Sequence, residues 1–414
     1  MCLAAPDPAS TGPARWRALA RAALAGLDPG DAKLVIASTN GGGEALDAAR
    51  WRDAFGPGLL ADTPWEQTRT PTVSGSCVSA LQALDTAQAL VAQGKHVLLL
   101  AVDVLGATSQ ANFEALRVLT SDPRPYQPAN PGFRCGEAAV ALLLAPEGDG
   151  LRLGRPTLSQ DLDDHDGLAH ALLGARLERA RVFVGQGTGP EAADRAELAA
   201  LATAPPTTPL TTPALAHGHT LAASGALVLA QLARGALPTL PWPRALDGRP
   251  LLAYPTAADD AVVFGRALGG SCAALGVGAA AGPPPPPRYV APAALPPLFH
   301  PGLRALVADA PTRRPARPPD RLLVLLDAPL APPPRALVGG RVLPSAVLEL
   351  TPATVPRLVA QAWGYTGPAV AWVGGDPAPW LAAHRARGER LAVLQIDDVH
   401  DGFRVTWAID EVRT

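Results

Sequence analysis

The sequence predicts an α/β fold whose sheets are covered on both faces, and three observations predict it. Strand-like and helix-like patterns alternate through the first two thirds of the chain. The strand-like runs are continuously apolar, not alternating, as expected where helices cover both faces of a sheet. The chain has 414 residues, 48% hydrophobic and 17% charged, a globular composition long enough for two or three domains.

Residues Arg15 to Leu27 read as an amphipathic helix, and Lys33 to Thr39 (KLVIAST) as a short strand followed by a turn at Gly41-Gly42-Gly43. Val78 to Gln93 reads as an apolar helix closed by Gly94, and His96 to Val104 as a buried strand. Ala138 to Ala145, Arg181 to Val184, Ala261 to Phe264 and Ala273 to Val277 are further strand candidates, and Gly225 to Arg234 is another apolar helix. The pattern breaks at Gly282, where five prolines follow in a row. Such a run favours an extended, stiff spacer, so 283–319 is assigned as a Pro-rich linker or wrapping segment.

Regular patterning resumes at Arg321. RLLVLLDAP is strand-like, Thr351 to Gly364 helical, Gly367 to Val373 strand-like, the stretch up to Arg387 helical, and Leu391 to Asp397 strand-like. This order repeats that of the first hundred residues. TPTVSGS before Cys77 pairs loosely with GPAVAWV before Gly374, and LLLAVDVL with LAVLQIDDV, which suggests a degenerate internal repeat lacking a cysteine. The expected division is 1–150, 151–282, the linker 283–319, and a half repeat 320–414.

Composition excludes several functions. A formal net charge of −2, with no basic cluster interleaved with aromatics, argues against nucleic acid. The first residues have no continuous apolar core of a secretory signal, and the longest apolar runs are too short to cross a bilayer. Cys2, Cys77, Cys135 and Cys272 form no CxxC pair and no metal spacing. Free thiols in a cytoplasmic protein are the expectation. Ala, Pro and Gly are abundant throughout, so isolated Ala- or Pro-based signals carry little weight.

Cys77 follows a short strand and directly precedes a long apolar helix. Unpaired N–H groups and the dipole at a helix start favour a thiolate, the nucleophilic form. Ser74, Gly75, Ser76 and Ser79 leave room beside it. Read locally, a buried inert cysteine fits equally well.

Five segments in order tilt that balance. SGSCVSAL resembles the nucleophile motif of β-ketoacyl synthases of the thiolase superfamily. Arg124-Pro125-Tyr126-Gln127-Pro128 through Gly132-Phe133-Arg134-Cys135-Gly136-Glu137 resembles that family's RPFD…GFxxGEGA stretch. Gly185 to Pro190 (GQGTGP, including Thr188) resembles its HGTGT motif, and Gly218 to Gly225 (GHTLAASG) its second histidine motif. Phe264 to Gly270 (FGRALGG) resembles its FGFGG loop, with extra residues. The resemblance spans roughly Lys33 to Gly278. It implies a five-layer αβαβα fold of two pseudo-symmetric halves, here with an additional C-terminal thiolase-like half. It also implies dimers, with the same or another ketosynthase-like chain, and an acyl chain delivered on the phosphopantetheine arm of an acyl carrier protein or on CoA. No bound cofactor and no metal are implied.

The sequence also departs from that pattern. Gln186 replaces the HGTGT histidine; its amide cannot act as an acid or base but can donate to an oxyanion. His219 matches the second histidine. The family lysine position holds Ala214, the aromatic gate becomes Arg266, Ala267 and Leu268, the usual Asn is Cys272, and the first N-terminal strand is not recognisable.

Other candidates read as structural. His217 and His219 form an H-x-H pair without a visible third ligand. Asp161 to Gly167 is acidic but fails the EF-hand pattern. Gly41 to Gly43 lacks the lysine and spacing of a phosphate loop. Glu137 reads as a structural carboxylate near the site, and Cys135 and Cys272 as packing residues.

The expectation is therefore an acyltransferase that forms a thioester on Cys77, with Gln186 and His219 stabilising the oxyanion and backbone N–H groups at Cys77 and near Gly269-Gly270 completing the hole. Phe264, Gly269, Gly270 and Thr188 are the expected substrate contacts. The rival is a catalytically impaired partner subunit of the chain-length-factor type, favoured by Gln186 and Ala214 and disfavoured by Cys77 and His219.

Overall fold

Why do the central strands bury both faces? In a computed structural model of the chain, β1 (Lys33–Ala37) sends Leu34 and Ile36 to one cluster and Val35 and Ala37 to another. β3 (Val97–Asp103) divides the same way: Leu98, Leu100 and Val102 join the outer cluster, Val97, Leu99 and Ala101 the inner one. The period-2 side-chain alternation of a strand makes a continuous apolar run the signature of a sheet buried on both sides. The structure describes residues 12–27, 30–39, 60, 63, 65, 70–105, 107–162, 166–254, 259–267, 269–292, 294–298, 300–327, 337–338, 341–342, 351–399 and 402–410. The predicted turn at Gly41 to Gly43, Asp163 to His165 of the acidic loop, and Leu268 lie outside them.

Two sheets dominate. With β2 (Thr72–Ser74) and β4 (Ala138–Leu144), the N-terminal strands run β2-β1-β3-β4. The second sheet comprises β5 (Thr157–Gln160), β6 (Val182–Val184), β7 (Leu210–Thr211), β8 (Ala261–Arg266) and β9 (Ser271–Val277), in the order β5-β9-β8-β6-β7. Dropping β5 leaves β9-β8-β6-β7, the reverse listing of β2-β1-β3-β4 when paired strand for strand. The two halves therefore share one topology, and the first lacks the strand equivalent to β5 among the described residues.

Helices complete five layers. α1 (Gly12–Leu24) covers the outer face of the first sheet through Trp16, Ala20 and Leu24. α2 (Ser79–Val91) is followed by α3 (Ala107–Ala115). On the outer face of the second sheet, Leu168 and Leu172 of α4 (Gly167–Leu172) and Leu198 of α5 (Glu191–Ala200) share a core with Phe183. A short α6 (Ala214–His217) precedes α7 (Ser224–Leu232). α2 and α7 fill the central layer, where Leu81, Leu84, Ala226 and Val228 share one core. Gly225 permits the close crossing, because a Cβ there would lie 3.0 Å from Leu81 Cγ.

The C-terminal strands are β10 (Arg321–Leu326), the short pair β11 (Leu337–Val338) and β12 (Arg341–Val342), β13 (Ala369–Val373), β14 (Leu391–Val399) and β15 (Gly402–Ile409). β15-β14-β10-β13 continues the first sheet to eight strands. Read against β4-β3-β1-β2, the order is again the same. The stretches matched in sequence, TPTVSGS with GPAVAWV and LLLAVDVL with LAVLQIDDV, thus occupy equivalent strands. The two sets meet edge to edge through β2 and β13, antiparallel and centred on Val73 opposite Trp372.

The segment 283–319 is more structured than its composition predicts. It contains α8 (Pro301–Asp309), whose Leu303, Leu306 and Val307 are buried. Those three positions follow helical spacing, but flanking prolines and arginines hide the pattern in sequence. The segment also wraps: Val290 N–H donates to the Gly364 carbonyl and Thr366 N–H to the Arg288 carbonyl, at 2.7 and 3.1 Å. α8 packs with α9 (Thr354–Trp363) on the face of β10 carrying Leu322, Val324 and Leu326. α10 (Ala378–Ala386) joins the central layer through Trp380 and Ala383.

A buried ionic cluster fastens this C-terminal part to the first two halves. Arg321, with no exposed surface, pairs with Asp85 of α2 and with Glu389 (3.2 Å); Arg155 bridges Asp85 (3.0 Å) and Glu389 (2.6 Å); and His384 Nδ1 lies 2.9 Å from Glu389. Burial raises the Asp85 carboxyl, but Arg321 and Arg155 overcome this and hold it below the ordinary range. Among the described residues no helix is long and apolar enough to cross a membrane.

Candidate active site

Small residues make the turn that presents Cys77. After β2, Ser76 takes a left-handed φ of 53°, costly for a side-chain-bearing residue, and Ser76–Val78 forms a 3-10 turn running into α2. Ser79 holds the turn from inside: its hydroxyl donates to the Ser76 carbonyl (2.6 Å) and accepts from Gly75 N–H (2.8 Å). The second half uses the same device. Leu221 has φ 50° and opens a 3-10 turn, Leu221–Ala223, leading into α7.

His219 stands just before that second turn, with Nε2 3.0 Å from Cys77 Sγ. The resembling segments fix its backbone: His219 N–H donates to the Arg134 carbonyl (2.7 Å) and Gly136 N–H to the His219 carbonyl (3.0 Å). The Phe133 ring meets the imidazole edge-on, centroids 5.2 Å apart. Burial lowers the His219 pKa to about 4, so its resting form near neutrality is the uncharged imidazole.

Gln186 faces the same cavity but is committed to the backbone at both ends. Its Nε2 donates to the Cys77 carbonyl (3.2 Å), and its Oε1 accepts from Arg266 N–H (3.1 Å). Gly265 is required beside it, since a Cβ there would lie 2.7 Å from the Gln186 amide carbon. The amide thus clamps the nucleophile turn to β8 and leaves its second N–H for a ligand.

Cys77, Gln186, His219, Ala214, Phe264 and Gly265 line one cavity of about 380 Å³ counting its open mouth. Gly269 lines a neighbouring cavity with Ser76. Gly270 N–H is taken by the Ala267 carbonyl at 2.9 Å, so the expected contribution of this N–H to an oxyanion hole is not available. Thr188 is partly buried and lines neither cavity. The other two described thiols are suppressed: burial pushes Cys135 up to about 12 and Cys272 well above the usual thiol range.

Three buried carboxylates lie behind the site. Glu197 accepts from the Tyr126 hydroxyl (2.6 Å) and from the N–H groups of Gln186 and Gly187 (both 3.3 Å), and burial pushes it up to about 7. Asp194 accepts from Tyr126 N–H (2.8 Å) and Gly189 N–H (2.9 Å). Asp103, at the end of β3, accepts from Ala222 N–H (2.9 Å) and the Ser38 hydroxyl (2.9 Å); burial raises it to about 6. They position the two motif loops. The one legible signal was a buried strand ending in Asp. Glu137 is structural as expected, accepting from Leu105 N–H (2.9 Å) and pairing with Arg15 (2.5 Å).

No protein-family model and no curated protein sequence matches the chain. Solved structures do. The ishigamide ketosynthase/chain length factor aligns with a TM-score of 0.53 and 21% identity, over 65% of this chain and 82% of that one. The PfaC keto synthase–chain length factor aligns with a TM-score of 0.66 and 12% identity, over 93% of this chain and 64% of that one. The five layers, the two matching halves and these alignments agree: the chain has the thiolase-like fold of ketosynthases and chain length factors.

Proposed function

We propose that the protein is a ketosynthase-like acyltransferase that loads an acyl group onto Cys77 from a phosphopantetheine-linked carrier-protein thioester or from CoA. The observation that carries this reading is the Cys77–His219 contact of 3.0 Å inside a cavity, with the other two described thiols suppressed by burial.

The chemistry follows from the geometry. Neutral His219 accepts the Cys77 proton as sulfur attacks the thioester carbonyl carbon. The new C–S bond forms on Cys77, the carrier's C–S bond breaks, and the imidazolium returns its proton to the departing thiolate. The second N–H of Gln186 is placed to stabilise the oxyanion. The acyl group then passes to an acceptor thiol or to the carbanion released by decarboxylation of a malonyl thioester. A carrier protein is the expected partner in a cytoplasmic setting. A second ketosynthase-like chain would have to dock away from the β2 edge, which β13 of the same chain covers.

The commitment of Gln186 to the backbone favours a second reading, a chain-length-factor-like partner subunit. Carbon dioxide release from a malonyl thioester separates the two. The native protein should decarboxylate slowly, and Gln186→His should accelerate it by supplying a second imidazole. Gln186→Ala should slow acyl transfer on the order of a hundred-fold, the usual loss for one oxyanion donor. Identical behaviour of all three proteins, with turnover traced to a co-expressed synthase, would reject the enzyme reading.

A further inference from the structure

Beside the nucleophile turn lies a second cavity, about 300 Å³ counting its mouth, at the seam between the catalytic body and the C-terminal part. Ser76, Gly269 and Ser271 form one wall; Thr351, Thr354 and Arg357 form the other. Arg357, on the first turn of α9, is half-buried, and its Nε is fully buried without a hydrogen-bond partner. No ion pair is formed by Arg357 among the described residues. The nearest carboxylate to influence it, Asp161, is already paired with Arg266. Gly269, at φ 114°, borders the guanidinium: Nη1 lies 3.7 Å from where a Cβ would stand. The positive end of α9 opens on the same space, with no side-chain cap on its first turn.

A guanidinium with its Nε buried and no counter-ion among the described residues is costly, since in native structures such a charge is ordinarily paired. Burial and the nearby Arg266 disfavour its charged form, with Asp161 opposing them. An anion entering the cavity relieves that cost, and a carboxylate matches the guanidinium fork bidentately. The anion's source follows from position. In a phosphopantetheine thioester the phosphate lies at the far end of the arm from the reacting carbonyl. A cavity walled by Ser76, the chain neighbour of Cys77, serves the acyl side.

Building on the acyltransferase reading above, we infer that Arg357 selects short acyl chains that end in a carboxylate, held in this cavity while the thioester end reacts at Cys77. The C-terminal part, which has no cysteine, thereby sets substrate class.

The test uses the full chain and two five-carbon probes without phosphate, glutaryl-pantetheine and pentanoyl-pantetheine, with Cys77 acylation followed by intact mass. The native protein should load glutaryl at least ten-fold faster than pentanoyl. Arg357→Met should bring that ratio to about one, and its thermal unfolding curve reports whether it is folded. Equal loading of both probes by the native protein would overturn the inference while leaving the acyltransferase reading intact. Loading of neither would overturn both. A third probe, pentanoyl-phosphopantetheine, isolates the other anion source. If the phosphate alone accelerates loading and Arg357→Met abolishes that gain, the cavity binds the arm and the carboxylate assignment fails.

Discussion

Replacing His219 by alanine should slow acylation of Cys77 by roughly a hundred- to ten-thousand-fold, the span usual for a positioned general base. The side chain is a single contact from the sulfur, and no other imidazole among the described residues lines that cavity. Its pH behaviour is the sharper check. A buried imidazole lowered to about 4 remains neutral, and so able to accept a proton, well below the ordinary histidine range. The acid limb of the acylation rate should therefore fall toward pH 4, with no inflection near 6.5. The linked stability runs the same way. The neutral form is favoured by the fold, so this contribution is present above the unfolded value of about 6.5 and lost as pH falls toward 4. Stopped-flow or quenched acylation across pH 4 to 8 reads the first, and thermal unfolding of the native and His219→Ala proteins reads the second.

Arg321→Ala should destabilise the protein by about 3–5 kcal/mol, the cost of leaving buried counter-charges without their partner. Asp85 and Glu389 would both lose it, and both are buried. Urea unfolding should show the drop at pH 7. It should shrink as pH falls below about 4, because carboxyls held below their ordinary range contribute stability only while ionised. Arg385→Ala is the contrast. It breaks a solvent-exposed pair with Asp410, 3.0 Å apart, and should cost about 0–1 kcal/mol. Equal effects of the two substitutions would refute the cluster's role in fastening the C-terminal part.

The sequence reading and the structure part company in instructive places. Cys77 and His219 were legible through the segments that resemble the β-ketoacyl synthase motifs, since read locally an inert cysteine fits equally well, and in the structure the two side chains meet. Most strands were legible because continuous apolar runs are local too. What escaped depends on the rest of the chain. The clamp formed by Gln186 exists only because Arg266 and the Cys77 carbonyl approach its amide from distant segments. Glu197 and Asp194 look like ordinary surface carboxylates until the fold buries them. β15 alternates residues of mixed polarity, since one of its faces meets solvent, and it pairs antiparallel with β14. Nor could any local pattern show that Trp372 would lie across from Val73, joining the repeat to the edge it resembles.

The central claim is that Cys77 carries the acyl group, and intact-protein mass spectrometry after incubation with an acyl-carrier thioester tests it most directly. The account predicts one acyl adduct per chain, mapped by proteolysis to the peptide containing Cys77, present in Cys135→Ala and Cys272→Ala and absent from Cys77→Ala. An undiminished adduct on Cys77→Ala, or no adduct on the native protein, would contradict it.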